Sequence, residues 1–234
     1  MKRKSLILIL SFLLIAVSFN GAFAMGKLVS TQESLIVIPY YDNYYNGYVF
    51  AELTNSGDKP VEFSSGLMEL FDPDGNSLSS TDLYYCYPPV LQPGETGYVY
   101  GYSYLEVDGP DMIDDYMLSV TGQGTISQTV LRLTAEARIE EVEEYYDTYH
   151  YLVADIQNTF DQPLTSFEIV FAVKDEAGAL LFVMSSSWSG YNVGVLPGSS
   201  VEFREQMSSD LMTYLEENEI VPATVEAIVY NIQY

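Results

Sequence analysis

Histidine and cysteine each occur once in this sequence, and the many acids are not spaced so as to assemble a catalytic site with them. A Ser-His-acid or Cys-His centre needs a histidine, and the chain has one, His150, in Thr148-Tyr149-His150-Tyr151. It stands beside a turn expected from composition, and no Gly-x-Ser-x-Gly elbow supplies a nucleophile, so it reads as a surface histidine. Zinc would lack nitrogen and sulfur ligands as well, because Cys86 is the only cysteine. Paired carboxylates hydrolyse glycosides when one is shifted against the other, and Glu140, Glu141, Glu143 and Glu144 lie close in sequence. Nothing around them promises a deep cleft. Charges along a solvated strand edge, which repel strand addition, account for them, and no catalytic residue is expected.

Hard cations are the next chemistry to weigh. Asp72-Pro73-Asp74-Gly75-Asn76 has the look of a calcium loop, but the twelfth position from Asp72 is Leu83, where such a loop needs a bidentate glutamate. A hairpin turn is the expectation there. Asp108, Asp111, Asp114 and Asp115 form a looser group whose mutual repulsion a calcium ion would relieve, and this is the one cofactor the sequence allows. Recognition is the remaining chemistry. The chain has 21 tyrosines, and Tyr98, Tyr100, Tyr102 and Tyr104 recur at every second residue, so they project from one face of a single strand. Tyrosine buries area at small entropic cost and keeps a hydroxyl for hydrogen bonding, which makes this row the candidate binding surface.

The elements that must position these residues are strands. Turn residues recur at an offset of 103: Asn55 with Asn158, Pro60 with Pro163, Asp72 with Asp175, Gly75 with Gly178, and, after one inserted residue, Pro93-Gly94 with Pro197-Gly198. Between them the chain alternates with period two. Val49, Ala51 and Leu53 share a face in one copy, as Leu152, Ala154 and Ile156 do in the other. The opposite faces carry Phe50 and Glu52, and Val153 and Asp155, so the acidic residue is expected to mark the wet side in both. Further strands are expected through Phe71, through Tyr87, from Thr96 to Leu105, from Thr129 to Tyr146 and from Thr224 to Tyr234, with an amphipathic helix near Ser209 to Glu217 capped by Ser208 or Ser209. The fold class that follows is all-β: two tandem immunoglobulin-like antiparallel β-sandwiches, with a short helix in the second copy. Thr121-Gly122-Gln123-Gly124 looks flexible, which puts the boundary near residue 125 and gives domains at 25–125 and 126–234. Each copy carries a full set of inward positions, so residues 126–234 are expected to fold alone.

Register ties the tyrosine row to this scheme. Aligning the copies on the Pro-Gly turn sets Val99 against Phe203, and Tyr98, Tyr100 and Tyr102 against Glu202, Arg204 and Gln206. Those three are poor core residues, so the row faces outward, toward a partner, the other domain or the Tyr40 to Tyr48 segment. Gly101 on the inner face leaves room for a bulge that would reverse the reading.

These turns and strands resemble the FxLYD domain of bacterial secreted and surface proteins. Copy two offers Phe171-Ala172-Val173-Lys174-Asp175 with Gly178 and Val195-Leu196-Pro197-Gly198; copy one offers Met68-Glu69-Leu70-Phe71-Asp72 with Gly75 and Leu91-Gln92-Pro93-Gly94. Met68 and Phe71 depart from the motif in the first copy, Val173 and Lys174 in the second. The resemblance spans most of residues 33–105 and 138–206. It implies an immunoglobulin-like sandwich outside the cytoplasm and carries no catalytic set.

The N-terminus agrees with export. Lys2-Arg3-Lys4, an apolar run from Leu6 to Val17, and Ala22-Phe23-Ala24 compose a signal peptide over residues 1–24. The run is too short to span a bilayer, and no second span follows it. Lysine and arginine total 9 against 33 aspartates and glutamates, a formal net charge of −24, which makes nucleic acid and anionic membrane poor partners. One cysteine excludes an intramolecular disulfide, and Cys86, in an apolar run, is expected to be buried. The expected function is a secreted, non-catalytic interaction module for a protein or peptide at or beyond the cell envelope. The alternative is a carbohydrate-binding protein that stacks sugars on exposed tyrosines.

Overall fold

Segments that alternate with period two and end in Asn, Pro or Gly can bury one face only by pairing as strands and stacking sheet on sheet. The computed structural model describes residues 26–125, 129–144, 147–190 and 194–233, and strands dominate it. The signal peptide expected over residues 1–24 lies outside the described residues. Copy one comprises β1 (Leu28–Tyr41), β2 (Tyr44–Asn55), β3 (Val61–Phe71), β4 (Ser77–Leu83), β5 (Val90–Leu91), β6 (Thr96–Glu106) and β7 (Asp115–Gly124), with one turn of 3-10 helix at Pro110–Met112. Copy two comprises β8 (Thr129–Glu144), β9 (Asp147–Gln157), β10 (Ser166–Lys174), β11 (Leu180–Ser189), β12 (Ser200–Gln206), α1 (Ser209–Glu217) and β13 (Thr224–Gln233).

Each copy is a sandwich of two antiparallel sheets, and the pairing repeats. In copy one, β1-β2-β6 faces a sheet in which β3 is flanked by β4 and β7 and pairs at one end with β5. In copy two, β8-β9-β12 faces β11-β10-β13. The first strand of copy two serves both its sheets: Thr129–Leu133 pair with β13, and Thr134–Glu144 pair with β9. Between the layers, Val49, Ala51 and Leu53 pack with Met68 and Leu70, while Leu152, Ala154 and Ile156 pack with Ile169, Phe171 and Val173. Full burial of each of the larger side chains contributes about 1.5–3 kcal/mol, and of each alanine methyl about 0.8 kcal/mol, so these inward rows supply the main driving force.

The repeat holds down to single hydrogen bonds. Asn55 Nδ2 donates to the carbonyls of Lys59 (2.8 Å) and Leu91 (2.9 Å); Asn158 Nδ2 donates to those of Gln162 (2.9 Å) and Val195 (2.7 Å). The Oδ1 of each accepts a backbone N–H two residues on, from Gly57 and Phe160. Both asparagines are fully buried, so their side chains join a turn to the Pro-Gly loop in a place water does not reach. Gly94 and Gly198 then sit at φ of 78° and 74°, the left-handed region that a Cβ disfavours. The turns at Asp72 and Asp175 also match: each Oδ1 accepts from the backbone N–H four residues on, at Asn76 and Ala179. A hairpin turn, rather than an ion loop, is what Asp72 builds.

Four expectations are corrected. The strand expected through Tyr87 ends at Leu83; residues 84–89 leave the sheet, touch the opposite one only at the bridge of Tyr87 to Tyr98, and return to pair with β3 as β5. Thr121–Gly124 is no linker but the end of β7, paired with Val61–Ser65. Gly122 answers to packing, since a Cβ there would lie 2.5 Å from Val61 Cγ2. Glu52 does not mark a wet face: its side chain is 12% exposed and its carboxylate meets Lys174 Nζ at 3.0 Å. The reason is that copy two covers the outer face of β1-β2-β6 at that end. His150, expected at the surface, is also largely covered, with its side chain 16% exposed and Nε2 3.5 Å from Glu141 Oε1.

Candidate functional site

The site begins with the register of β6. Val99 pairs with Ala51, Gly101 with Val49 and Ser103 with Gly47, without a shift, so these residues point into copy one and the four tyrosines point out. Gly101 is therefore a packing glycine and not a bulge: a Cβ there would meet Leu83 Cδ2 at 2.3 Å. Pairing sets Glu52 beside Tyr98, Phe50 beside Tyr100, Tyr48 beside Tyr102 and Asn46 beside Tyr104, with Ile36 and Ile38 next on β1. Between Glu52 at one end and Asn46 at the other, the middle of the outer face is thus aromatic and aliphatic, although a sheet exposed to water would be polar there.

Copy two divides this face in half. Tyr98 is 1% exposed, its hydroxyl held 3.4 Å from the carboxylates of Glu52 and Glu226. Lys174 Nζ lies 3.0 Å from Glu52 and 3.3 Å from Glu226. Burial opposes the lysine's charge, but the Glu52 hydrogen bond and both carboxylates prevail and hold its pKa above the usual lysine value. Burial first, then the two glutamates, push the Tyr98 phenol far up, so it stays a donor. Tyr100 donates to or accepts from Ser185 Oγ at 2.9 Å. At the margin, Arg132 meets Glu95, and Leu180 N–H donates to Gln32 Oε1 at 2.7 Å. Helix α1, whose first turn is capped by Ser208 accepting from Leu211 N–H, lies along β1, where Ile36 and Ile38 join Leu211 and Leu215 in one hydrophobic cluster. Tyr98 is thereby removed from the candidate binding row, and Tyr100 is half-buried.

Tyr102 and Tyr104 lie beyond this cover, 56% and 50% exposed. They are joined by tyrosines that the sequence row did not include. Tyr44 stacks on Tyr104 at 4.8 Å and 3°, Tyr40 packs against Tyr104 at 5.4 Å and 84°, and Tyr48 lies 5.5 Å from Tyr102. Acids rim the cluster. Tyr44 Oη donates to Glu106 Oε2 at 3.0 Å, which with the charge of Glu106 raises the Tyr44 pKa. Burial, then Tyr102 and then Asp210 raise that of Tyr48. Near neutral pH these phenols remain protonated and offer rings together with hydroxyl donors. The alternation of β2, which places Phe50 and Glu52 outward, extends to Tyr48 and Tyr44 and was the signal available in the sequence.

The other candidates are not gathered. Asp111 is in the 3-10 turn, Asp114 N–H donates to the Phe71 carbonyl at 3.0 Å, and Asp115 Oδ1 accepts from the N–H of Tyr116 at 2.8 Å. Among the described residues no three His, Cys, Asp or Glu side chains converge as a metal site would require. Glu140 is engaged by Arg138 and Arg204. His150 and Glu141 line an open cleft of about 750 Å³ in copy two whose other walls include Met207, Met212 and Val221. Cys86 is 3% exposed, and burial pushes its thiol up to about 12. No helix among the described residues is long and apolar enough to cross a membrane. No family model matches the sequence, and no curated protein is significantly similar to it.

Proposed function

We propose that the chain is a secreted, non-catalytic interaction module, built of FxLYD-type sandwiches, that binds a protein or peptide at or beyond the cell envelope. One observation carries this reading: the uncovered half of the β1-β2-β6 face, where Tyr40 and Tyr44 pack on the exposed Tyr104 and Tyr48 packs on Tyr102, two residues along the same strand. A contiguous exposed apolar patch with a polar rim is the ordinary mark of a contact surface. The charged N-terminus and apolar run support export, and the acidic balance argues against nucleic acid and anionic membrane.

The arrangement favours a peptide over a sugar. A pyranose needs a free aromatic face, and Tyr104 has one of its faces stacked on Tyr44 and Tyr40 packed against it at 84°. The double variant Tyr102→Ser/Tyr104→Ser tests the reading. Because both rings are exposed, stability in urea should change by less than about 1 kcal/mol, while binding to the partner recovered by crosslinking on intact cells should fall at least tenfold, on the order of a lost hot spot. Undiminished binding by the variant refutes the surface. A glycan array that captures the wild type and not the variant establishes the carbohydrate alternative instead.

A further inference from the structure

The tyrosine row lies on an edge strand, and the edge itself is open. In copy one the order β1-β2-β6 leaves β6 with β2 on one side only. Residues 84–89 reach its other side at a single point, where Tyr98 N–H donates to the Tyr87 carbonyl at 2.9 Å and the Tyr98 carbonyl accepts from Tyr87 N–H at 2.8 Å. Along a strand without a bulge, backbone groups turn to the same side at every second residue. Tyr100, Tyr102 and Tyr104 therefore aim N–H and C=O outward, as Tyr98 does, and among the described residues no strand receives them. From Tyr100 to Glu106 this leaves about 20 Å of unpaired edge at ~3.3 Å per residue. The strand β4 does not close it, since Leu83 and Thr81 pack beneath β6, against Gly101 and Ser103.

An open edge is a hazard that proteins ordinarily guard with charge, and copy two shows the guarded form. Its equivalent strand β12 reads Ser-Val-Glu-Phe-Arg-Glu-Gln, with Glu202 and Arg204 exposed and ion-paired. The strand β6 reads Thr-Gly-Tyr-Val-Tyr-Gly-Tyr-Ser-Tyr-Leu-Glu, with no charge before Glu106 and a high preference for strand pairing. One fold thus carries both a protected and an unprotected edge, and the unprotected one borders the exposed tyrosines. The acids around it, Glu106 beside Tyr44, Asp82 beside Tyr84 and Asp210 near Tyr48, set the charge of whatever docks. A second copy, with a formal net charge of −24 of its own, is repelled; lysine and arginine are attracted to the acids and to tyrosine faces.

We propose that the outer edge of β6 from Tyr100 to Glu106 takes up an extended, lysine- or arginine-bearing segment of a partner protein as an added strand. The added strand hydrogen-bonds to Tyr100, Tyr102 and Tyr104, and its alternate side chains lie along the tyrosine cluster, as in other strand-addition complexes. This deepens the interaction-module reading and rests on it.

The test uses the full chain, isotope-labelled for amide exchange by NMR, with peptides of about ten residues as probes. One alternates lysine with valine, a second replaces lysine by glutamate, and a third replaces valine by proline, which cannot donate to a ladder. The lysine-valine peptide should bind and slow exchange at the Tyr100, Tyr102 and Tyr104 amides at least about tenfold, and the other two should do neither. Binding that leaves those amides unprotected overturns strand addition but spares the tyrosine surface, which stands or falls with the Tyr102→Ser/Tyr104→Ser variant. Failure of the lysine-valine peptide to bind overturns the basic-strand proposal. Protection that appears without peptide and grows with protein concentration makes a second copy the occupant, which also overturns it.

Discussion

The sheets β1-β2-β6 and β8-β9-β12 are the same sheet twice, with inner faces that interchange and outer faces that do not. Inside, Val49, Ala51 and Leu53 answer to Leu152, Ala154 and Ile156, all within 1% of full burial. Outside, Tyr98, Tyr100 and Tyr102 in copy one stand where copy two has Glu202, Arg204 and Gln206. Copy two ties those positions into an ion-pair lattice in which Arg138 meets Glu140, Asp155 and Glu202, and Arg204 meets Glu140 and Glu202. Such exposed pairs contribute little to stability and chiefly keep the face solvated. The inner positions therefore specify the fold, and the outer ones specify what lies next to it.

The sharpest way to break the contrast is Tyr98→Ala. Removing a buried aromatic ring costs about 3–5 kcal/mol, whereas the charged counterpart Glu202→Ala should leave stability nearly unchanged; urea unfolding of both variants measures the difference. Equal, small effects would mean that copy two does not rest on the tyrosine face.

Smaller is the effect of Glu52→Gln, which removes the nearer of two carboxylates from Lys174 and should cost about 1–3 kcal/mol, below the full cost of breaking a buried pair because Glu226 remains. The pH dependence follows from the sign of the shift. Lys174 binds its proton more tightly when folded, so its contribution is fully present below the ordinary lysine value of about 10.4 and is lost as pH rises through the raised value. Tyr98 acts in the same window, since its neutral form is the one the fold holds. Melting temperatures of the wild type should drop above about pH 10 more steeply than those of the Glu52→Gln variant. Parallel curves would separate the ion pair from the alkaline loss.

The smallest effect concerns the loops that differ between copies. Copy two places α1 between its last two strands, and copy one places Asp108, Asp111, Asp114 and Asp115 there. Since these carboxylates do not converge, millimolar calcium should shift the melting temperature no more than sodium at equal ionic strength, and a distinct upward shift would restore the calcium site.

Much of the fold was legible because its signals are local. Asn, Pro and Gly mark the turns, and period-two alternation fixes which residues face inward, so the shared register and the outward tyrosine row could be read directly. What could not be read depends on contacts across more than 100 residues. Nothing local to Glu52 says that Lys174, 122 positions away, will cover it. Composition made Gly122 look like a hinge, and only the neighbouring Val61 and Leu28 show that it is a close-packed strand residue. The exposed cluster was half legible: β6 announced Tyr102 and Tyr104, but their association with Tyr40 and Tyr44 depends on strand pairing that the sequence does not encode locally.

The contact between the copies joins unlike faces, β1-β2-β6 of one to β11-β10-β13 of the next, which is a heterologous, head-to-tail arrangement of the kind that grows into filaments unless something stops it. Growth past copy two is stopped by its lattice of arginine and carboxylate, on which no flat apolar sheet can settle. Growth from the other end is stopped where copy two has Ala172 opposite Val183 and Val170 opposite Ser185, and copy one has Glu69 opposite Ser80 and Leu67 opposite Asp82. Neither outward face thus matches the one through which the two repeats meet, and the uncovered tyrosines at the end of β6 are left for something other than the same repeat-to-repeat contact.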